Sequence, residues 1–280
     1  MRDTTAVTAD TATSCFLAQR VRYDYTAPIE DLCQRLLLVP PSVHGHQRRH
    51  GWTLGVGGAV ATSTRARRDS FGNLALELRV PRVDEWVEFV VTTEVTRRAP
   101  SGAHRVRPDR RYLEPTRLTA PDVAIGALVA QAAEAVDPAS ISAAVHAAIG
   151  YEWGITGVRT TAAEALAGGR GVCQDYAHLM LAACRLAGIP CRYVSGHLLG
   201  EGGSHAWVEV FRPDVRCANS WVVEAWDPTH DRPVGDDPHY VTVAVGRDYD
   251  DVAPMSGTYE GDAVGRLTCS KRAAPVLPFS

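Results

Sequence analysis

Lysine is almost absent: Lys271 is the only one among 280 residues, so the other 28 of the 29 Lys and Arg side chains are arginines. No uninterrupted apolar run is long enough to span a bilayer, and the first fifteen residues, MRDTTAVTADTATSC, lack the apolar stretch of a secretory signal. Those two gaps predict a cytoplasmic chain with a loose N-terminal arm and no membrane contact. An excess of one charge is lacking too. A formal net charge of -3 exerts no general pull on nucleic acid or an anionic surface, and the short basic runs at 48–50 and 65–68 read as solvated faces. Seven cysteines, at 15, 33, 173, 184, 191, 217 and 269, form no CxxC pair and no regular spacing, which excludes a disulfide framework. Cys173, His178, His197, His205 and His230 contain no pair at the short spacing of zinc ligands, so no metal is expected.

What is present is apolar material, 45% of the chain, enough for a sizeable core. It is patterned in two styles. From Phe16 to about Arg98 the text reads as strands: FLAQRVRYDY, DLCQRLLLVPPS, WTLGVGGAV, LALELRV and EWVEFVVTTEVT alternate or run apolar. Asp69-Ser70-Phe71-Gly72-Asn73 is a turn, with Gly72 and Asn73 expected to supply positive φ. Residues 99–122 shift to Pro, Arg and Gly, as a surface connection would. Helical spacing follows in VAIGALVAQAAEAV and ISAAVHAAIGYEWG, and Thr161 with Glu164 three residues on resembles a capping box. A further helix is predicted from Val172 to Ala187, with one apolar stripe and a stop at Gly188-Ile189-Pro190. CRYVSGHLL, HAWVEVF and WVVEAWDP then read as a small antiparallel sheet packed on that helix. The reading is an α+β fold divided into an arm (1–15), a β-rich domain (16–100), a connection (101–122) and a helix-and-sheet domain (123–280).

Cys173 carries the chemistry. A glycine-rich turn, GGRG, delivers it to the first turn of a helix, where unpaired amides and the positive end of the macrodipole favour a thiolate. A cysteine nucleophile needs a base to take its proton and return one to the leaving group. His205 opens an apolar strand behind the flexible GEGGS loop, and Asp227, held by Pro228, closes another, so the pair can orient one imidazole. The Cys173 amide is the expected oxyanion donor. Five residues turn a helix by about 500°, so His178 falls about 140° from Cys173 and reads as a buried structural residue. Asp175 suits the first helical turn, Cys184 the core, and His146 a packing edge. Trp207 and Trp226 adjoin the candidate residues and are expected to border the acyl site.

The segments TTAAEALAGGRGVCQDYAHLMLAACRLAGIPCRYVSGHLL, SHAWVEVF, WDPTHDRPV and VTVAVGRDYDDVAPMSGTYEG resemble the transglutaminase-like core of the papain-like superfamily in its bacterial form. VRYDYTAPI, DSFGN and YLEPTRL resemble the β-rich region that precedes this core in many such proteins. The resemblance covers the chain from about Phe16 to Cys269. It implies a Cys173–His205–Asp227 triad acting without metal or cofactor on a peptide, protein or acyl-thioester substrate, a carrier protein included, and passing the acyl group to water or an amine. One departure is visible: His230 stands where many relatives have asparagine, which draws it into the substrate pocket. An amide-forming acyltransferase of small-molecule assembly and a catalytically silent binding module are the alternatives. A chain with one lysine has almost no amine of its own to lose to such chemistry.

Overall fold

The computed structural model describes residues 13–98, 104–132, 137–235 and 237–275. Its first half is built from Thr13–Tyr25 (β1), Ile29–Val39 (β2), Val43–His44 (β3), Gln47–Gly57 (β4), Ser63–Arg68 (β5), Leu74–Val83 (β6) and Trp86–Arg97 (β7). Strand β1 buries Cys15, Leu17, Gln19 and Val21 in strict alternation, the period-2 pattern of a sheet with one covered face. Val21, Val87, Phe89 and Val91 pack there against Ile29, Leu36, Leu76 and Val80 of a second sheet, forming a sandwich core.

The second half runs through Arg105–Val106 (β8), Val123–Gln131 (α1), Pro138–Ala148 (α2), Gly150–Tyr151 (β9), Ala162–Gly168 (α3), Arg170–Gly171 (β10) and Cys173–Leu186 (α4). Cys191–Leu198 (β11), His205–Pro213 (β12), Trp221–Asp227 (β13), Arg232–Pro233 (β14) and Tyr240–Gly246 (β15) follow, then Tyr249–Val252 (α5), Met255–Glu260 (β16) and Gly265–Pro275 (β17). One antiparallel sheet, β14-β13-β12-β11-β15 with β8 on β13, carries α4 on the face formed by Ala206, Val208 and Val210. Thr161 caps α3 and shares the expected capping box with Glu164. The single stripe predicted for α4 is too modest: residues 174–185 are all buried, because α1, α2 and α3 cover the faces that the sheet leaves free.

Three expectations change. Strands β16 and β17, read from sequence as part of the 123–280 domain, pair with β2 and β1 and complete the two sandwich sheets, β16-β2-β6-β5 and β17-β1-β7-β4-β3. The chain's last described strand thus returns to its first. The 101–122 connection is not a plain surface run: β8 joins the sheet of the second half, Tyr112 stacks on Phe211 at 5.1 Å, and Leu118 and Thr119 are fully buried. In the Asp69–Asn73 turn only Gly72 has positive φ, at 86°. Asn73 instead lends its amide to Val245, donating to its carbonyl and accepting its N–H at 2.8 Å each. Gln47 does the same for Thr242, so two side-chain amides from the sandwich finish the free edge of β15. Residues 1–12 of the expected arm lie outside the described part, and 13–15 belong to β1. Among the described residues no helix is long and apolar enough to cross a membrane.

Candidate active site

Three loops and one helix end make the site. Helix α3 stops at Gly169, whose φ of 65° is left-handed, and β10 then pairs in parallel with β9, Gly171 opposite Tyr151. The next residue but one is Cys173. The Asp175 carboxylate folds back to accept the Val172 N–H at 2.8 Å and the Thr156 hydroxyl at 2.6 Å, fixing the start of α4 although burial pushes its own carboxyl up. A Cβ on Gly171 would lie 2.7 Å from Asp175, so only glycine passes there without displacing the first turn. Cys173 itself stays partly exposed.

His205 and Asp227 arrive on neighbouring strands. Val208 pairs with Trp226, which sets Asp227 across from Trp207 and on the face of His205. His205 Nε2 and Asp227 Oδ2 are 2.7 Å apart, with His205 4% exposed and Asp227 fully buried. Nδ1 is the ring nitrogen left for Cys173. Burial works against a charged imidazole, but the hydrogen bonds and charges of Asp227 and Cys173 raise His205 to about 10. Burial likewise opposes ionised Asp227, yet His205, Tyr240 and His230 together hold it well below the ordinary carboxylate range.

Asp227 has more partners than sequence suggested. Tyr240 donates its hydroxyl to Oδ2 at 2.7 Å, His230 Nδ1 lies 2.7 Å from the same oxygen, and the Thr229 N–H reaches Oδ1 at 3.0 Å. His230 therefore braces the carboxylate rather than standing free as a pocket wall, and its Nε2 lies 3.2 Å from Glu201 Oε1. The other Glu201 oxygen is 3.7 Å from His205 Nδ1. Glu201 and Tyr240 escaped the sequence reading: one rides an irregular loop, and the other sits in β15, two strands removed from β12.

Trp207 takes another position than expected. Trp207 is 1% exposed and packs behind His205 and edge-on to Tyr240, so it supports the imidazole from the core. Trp226 packs on the α4 core, and both line a cavity of about 340 Å³ with His44, His104 and Glu209 that does not reach Cys173. His178 is fully buried, accepts the Tyr249 N–H at 3.2 Å, and is pulled down to about 3 by burial, a neutral structural residue as expected. Cys184 is fully buried, and all seven cysteines are free. His205, Asp227 and His230 place donor atoms within 4.8 Å of one another, the one described group able to hold a metal, a grouping that sequence spacing could not reveal. Asp227 Oδ2 is already shared between both rings and Tyr240, which suits protons rather than a cation.

Two family descriptions match the chain: Bacterial transglutaminase-like N-terminal region over residues 17–96, and Transglutaminase-like superfamily over residues 127–224. Residues 127–224 thus match a transglutaminase-like core, and residues 17–96 the bacterial transglutaminase-like N-terminal region. The matched core stops short of Asp227, so the carboxylate is supplied by the geometry alone. The chain is 39% identical over 165 residues to an uncharacterized protein of Mycobacterium leprae, covering 53% of this chain and 55% of that one. It is 37% identical over 118 residues to an uncharacterized protein of Mycobacterium tuberculosis, covering 38% and 36%. The match thus spans about half or less of these relatives' length. A solved structure of a candidate cysteine protease from Cytophaga hutchinsonii superposes with a TM-score of 0.74 at 19% identity, over 96% of this chain and 93% of that one. That likeness is one of fold.

Proposed function

We propose that Cys173, His205 and Asp227 carry out cysteine-dependent acyl transfer through a thioester. The observation that carries the reading is the buried His205 Nε2–Asp227 Oδ2 pair at 2.7 Å, with the Cys173 side chain hydrogen-bonded to the same imidazole. The Cys173 sulfur attacks the carbonyl of an amide, ester or thioester, and the oxyanion forms beside the Cys173 amide at the start of α4. The C–S bond forms as the leaving group departs with the proton held at His205 Nδ1. His205 then takes a proton from the acceptor, whose attack breaks the C–S bond and restores the thiolate. Asp227 keeps the ring in the tautomer that presents Nδ1.

An amine acceptor is the reading that Glu201 favours. Its carboxylate, 3.7 Å from His205 Nδ1 and 45% exposed, stands where an incoming ammonium would be held before giving up its proton. A panel of peptide-amide, ester and thioester donors, assayed with and without a primary amine and followed by intact mass, tests both statements. The expected result is an acyl adduct lost in Cys173→Ala and retained in Cys184→Ala, with turnover raised by amine. Full turnover by Cys173→Ala would remove the proposal.

A further inference from the structure

Between β9 and α3 the chain runs Tyr151-Glu152-Trp153-Gly154-Ile155-Thr156-Gly157-Val158, and Tyr151, Trp153, Ile155 and Val158 are all exposed. Trp153, at 81%, is the one exposed tryptophan of the six. Apolar side chains gathered in solvent mark a surface that something covers.

This segment is pinned on both sides of Cys173. Ahead of it, β9 pairs with β10, Tyr151 opposite Gly171, and the Glu152 N–H donates to the Gly171 carbonyl at 2.9 Å. Beyond it, the Gln174 amide donates to the Gly157 carbonyl at 3.3 Å and the Thr156 hydroxyl to Asp175 at 2.6 Å. Residues 153–155 therefore arch past the helix start that carries the thiol, with Gly154 turning the crown at a φ of 85°. Side chains alternate along an extended chain. Glu152 is drawn to Arg170 at 2.7 Å on one face, which leaves Tyr151 on the other. Partial burial, and after it the charges of Cys173 and Glu201, pushes the Tyr151 hydroxyl up, as befits a ring at the edge of the cleft.

We infer that Tyr151 and Trp153 are the subsite for an apolar group of the acyl donor, an aromatic ring or branched hydrocarbon next to the acyl carbon; the inference rests on Cys173 being the nucleophile. His205 protonates the leaving group and deprotonates the acceptor, so both take the side of His205 and Glu201. The arch is fixed instead to the start of α4, the side left to the acyl portion. Two exposed aromatic faces, with Glu152 already tied to Arg170, suit hydrocarbon rather than charge. Tyr151 and Trp153 thus do what was expected of Trp207 and Trp226.

Two alkylating agents test this without a known substrate: iodoacetamide and N-benzyliodoacetamide, from which the sulfur displaces iodide as the C–S bond forms. Rates are read by peptide mass spectrometry at Cys173 and at exposed Cys217, the reference thiol in the same sample. The benzyl-to-plain rate ratio should be about tenfold higher at Cys173 than at Cys217. Trp153→Ser and Tyr151→Ser should each cut that advantage to about threefold or less, and Trp153→Phe should keep most of it. Val60→Ser, which removes an exposed apolar side chain from the sandwich, should leave it whole. Equal ratios at the two cysteines in the native protein, or an advantage that Trp153→Ser leaves intact, overturns the inference while the thioester chemistry stands. Plain iodoacetamide labelling Cys173 no faster than Cys217 would remove the nucleophile, and the inference with it.

Discussion

Asp227 Oδ2 serves His205, His230 and Tyr240 at 2.7 Å each, so the carboxylate that orients the imidazole is itself fixed from three directions. Asp227→Asn loses the charge and presents the wrong tautomer to the ring; turnover of any donor should fall roughly 10³–10⁴-fold. His230→Asn keeps a donor for Asp227 and should stay within about tenfold, because Tyr240 and the Thr229 amide remain. The pH profile follows from His205. Its proton is held to about 10, so the protonated ring is present below that value and turnover should drop as pH rises through it, in a kcat/KM profile that Asp227→Asn shifts downward. The same raised group stabilises the fold fully below its ordinary 6.5 and loses that contribution as pH climbs through about 10. Cys173, His205 and Asp227 were legible in the sequence because each sits where an element begins or ends beside turn residues. Tyr240 and Glu201 were not, since nothing local to YVTVAVG or GEGGS says which strand they will face.

At the scale of elements, the start of α4 depends on Gly171. Gly171→Ala forces Cβ against Asp175 and should cost about 1–3 kcal/mol in thermal unfolding, together with slower alkylation of Cys173, because the displaced turn carries the sulfur. The interior of α4 is acid-sensitive. His178, lowered to about 3, and His197 on β11, lowered to about 4, are buried neutral; the unfolded chain binds their protons first, so stability should fall as pH drops below 6.5. Helix ends were readable from the Thr161 cap and the Gly188 stop. The extent of burial was not, because His178, Asp175 and Arg185 are polar letters whose partners lie elsewhere: Arg185 donates to Thr119 Oγ1 and to the Arg247 carbonyl.

In the whole molecule, the two halves are joined by a hydrogen bond to a buried carboxylate and by shared strands. Glu209 of β12 sits 2.6 Å from His44 Nε2 of the sandwich and 2.6 Å from Arg192, and despite its burial the Arg192 guanidinium, with the hydrogen bonds of His44 and Arg192, holds it far below the ordinary carboxylate range. Glu209→Gln strands Arg192 in the interior and should cost about 3 kcal/mol in denaturant unfolding. Its contribution exists above the ordinary 4.5 and vanishes as pH falls below it, so native stability and that of Glu209→Gln should converge in acid. The β-then-α+β order was legible from the switch of apolar period near residue 100. The return of β16 and β17 to the sandwich was not, because MSGTYE and GRLTCSKRAAP show strand character without naming a partner, and pairing across some 250 residues is a property of topology.

The central claim is a thioester on Cys173, and a small activated ester reports it directly. Mixed with p-nitrophenyl acetate, the protein should release a burst of nitrophenol matched by one acetyl mapped to Cys173, absent in Cys173→Ala and slow in His205→Ala. Steady hydrolysis at the native rate in Cys173→Ala, or native turnover with no acetyl on that sulfur, would contradict it.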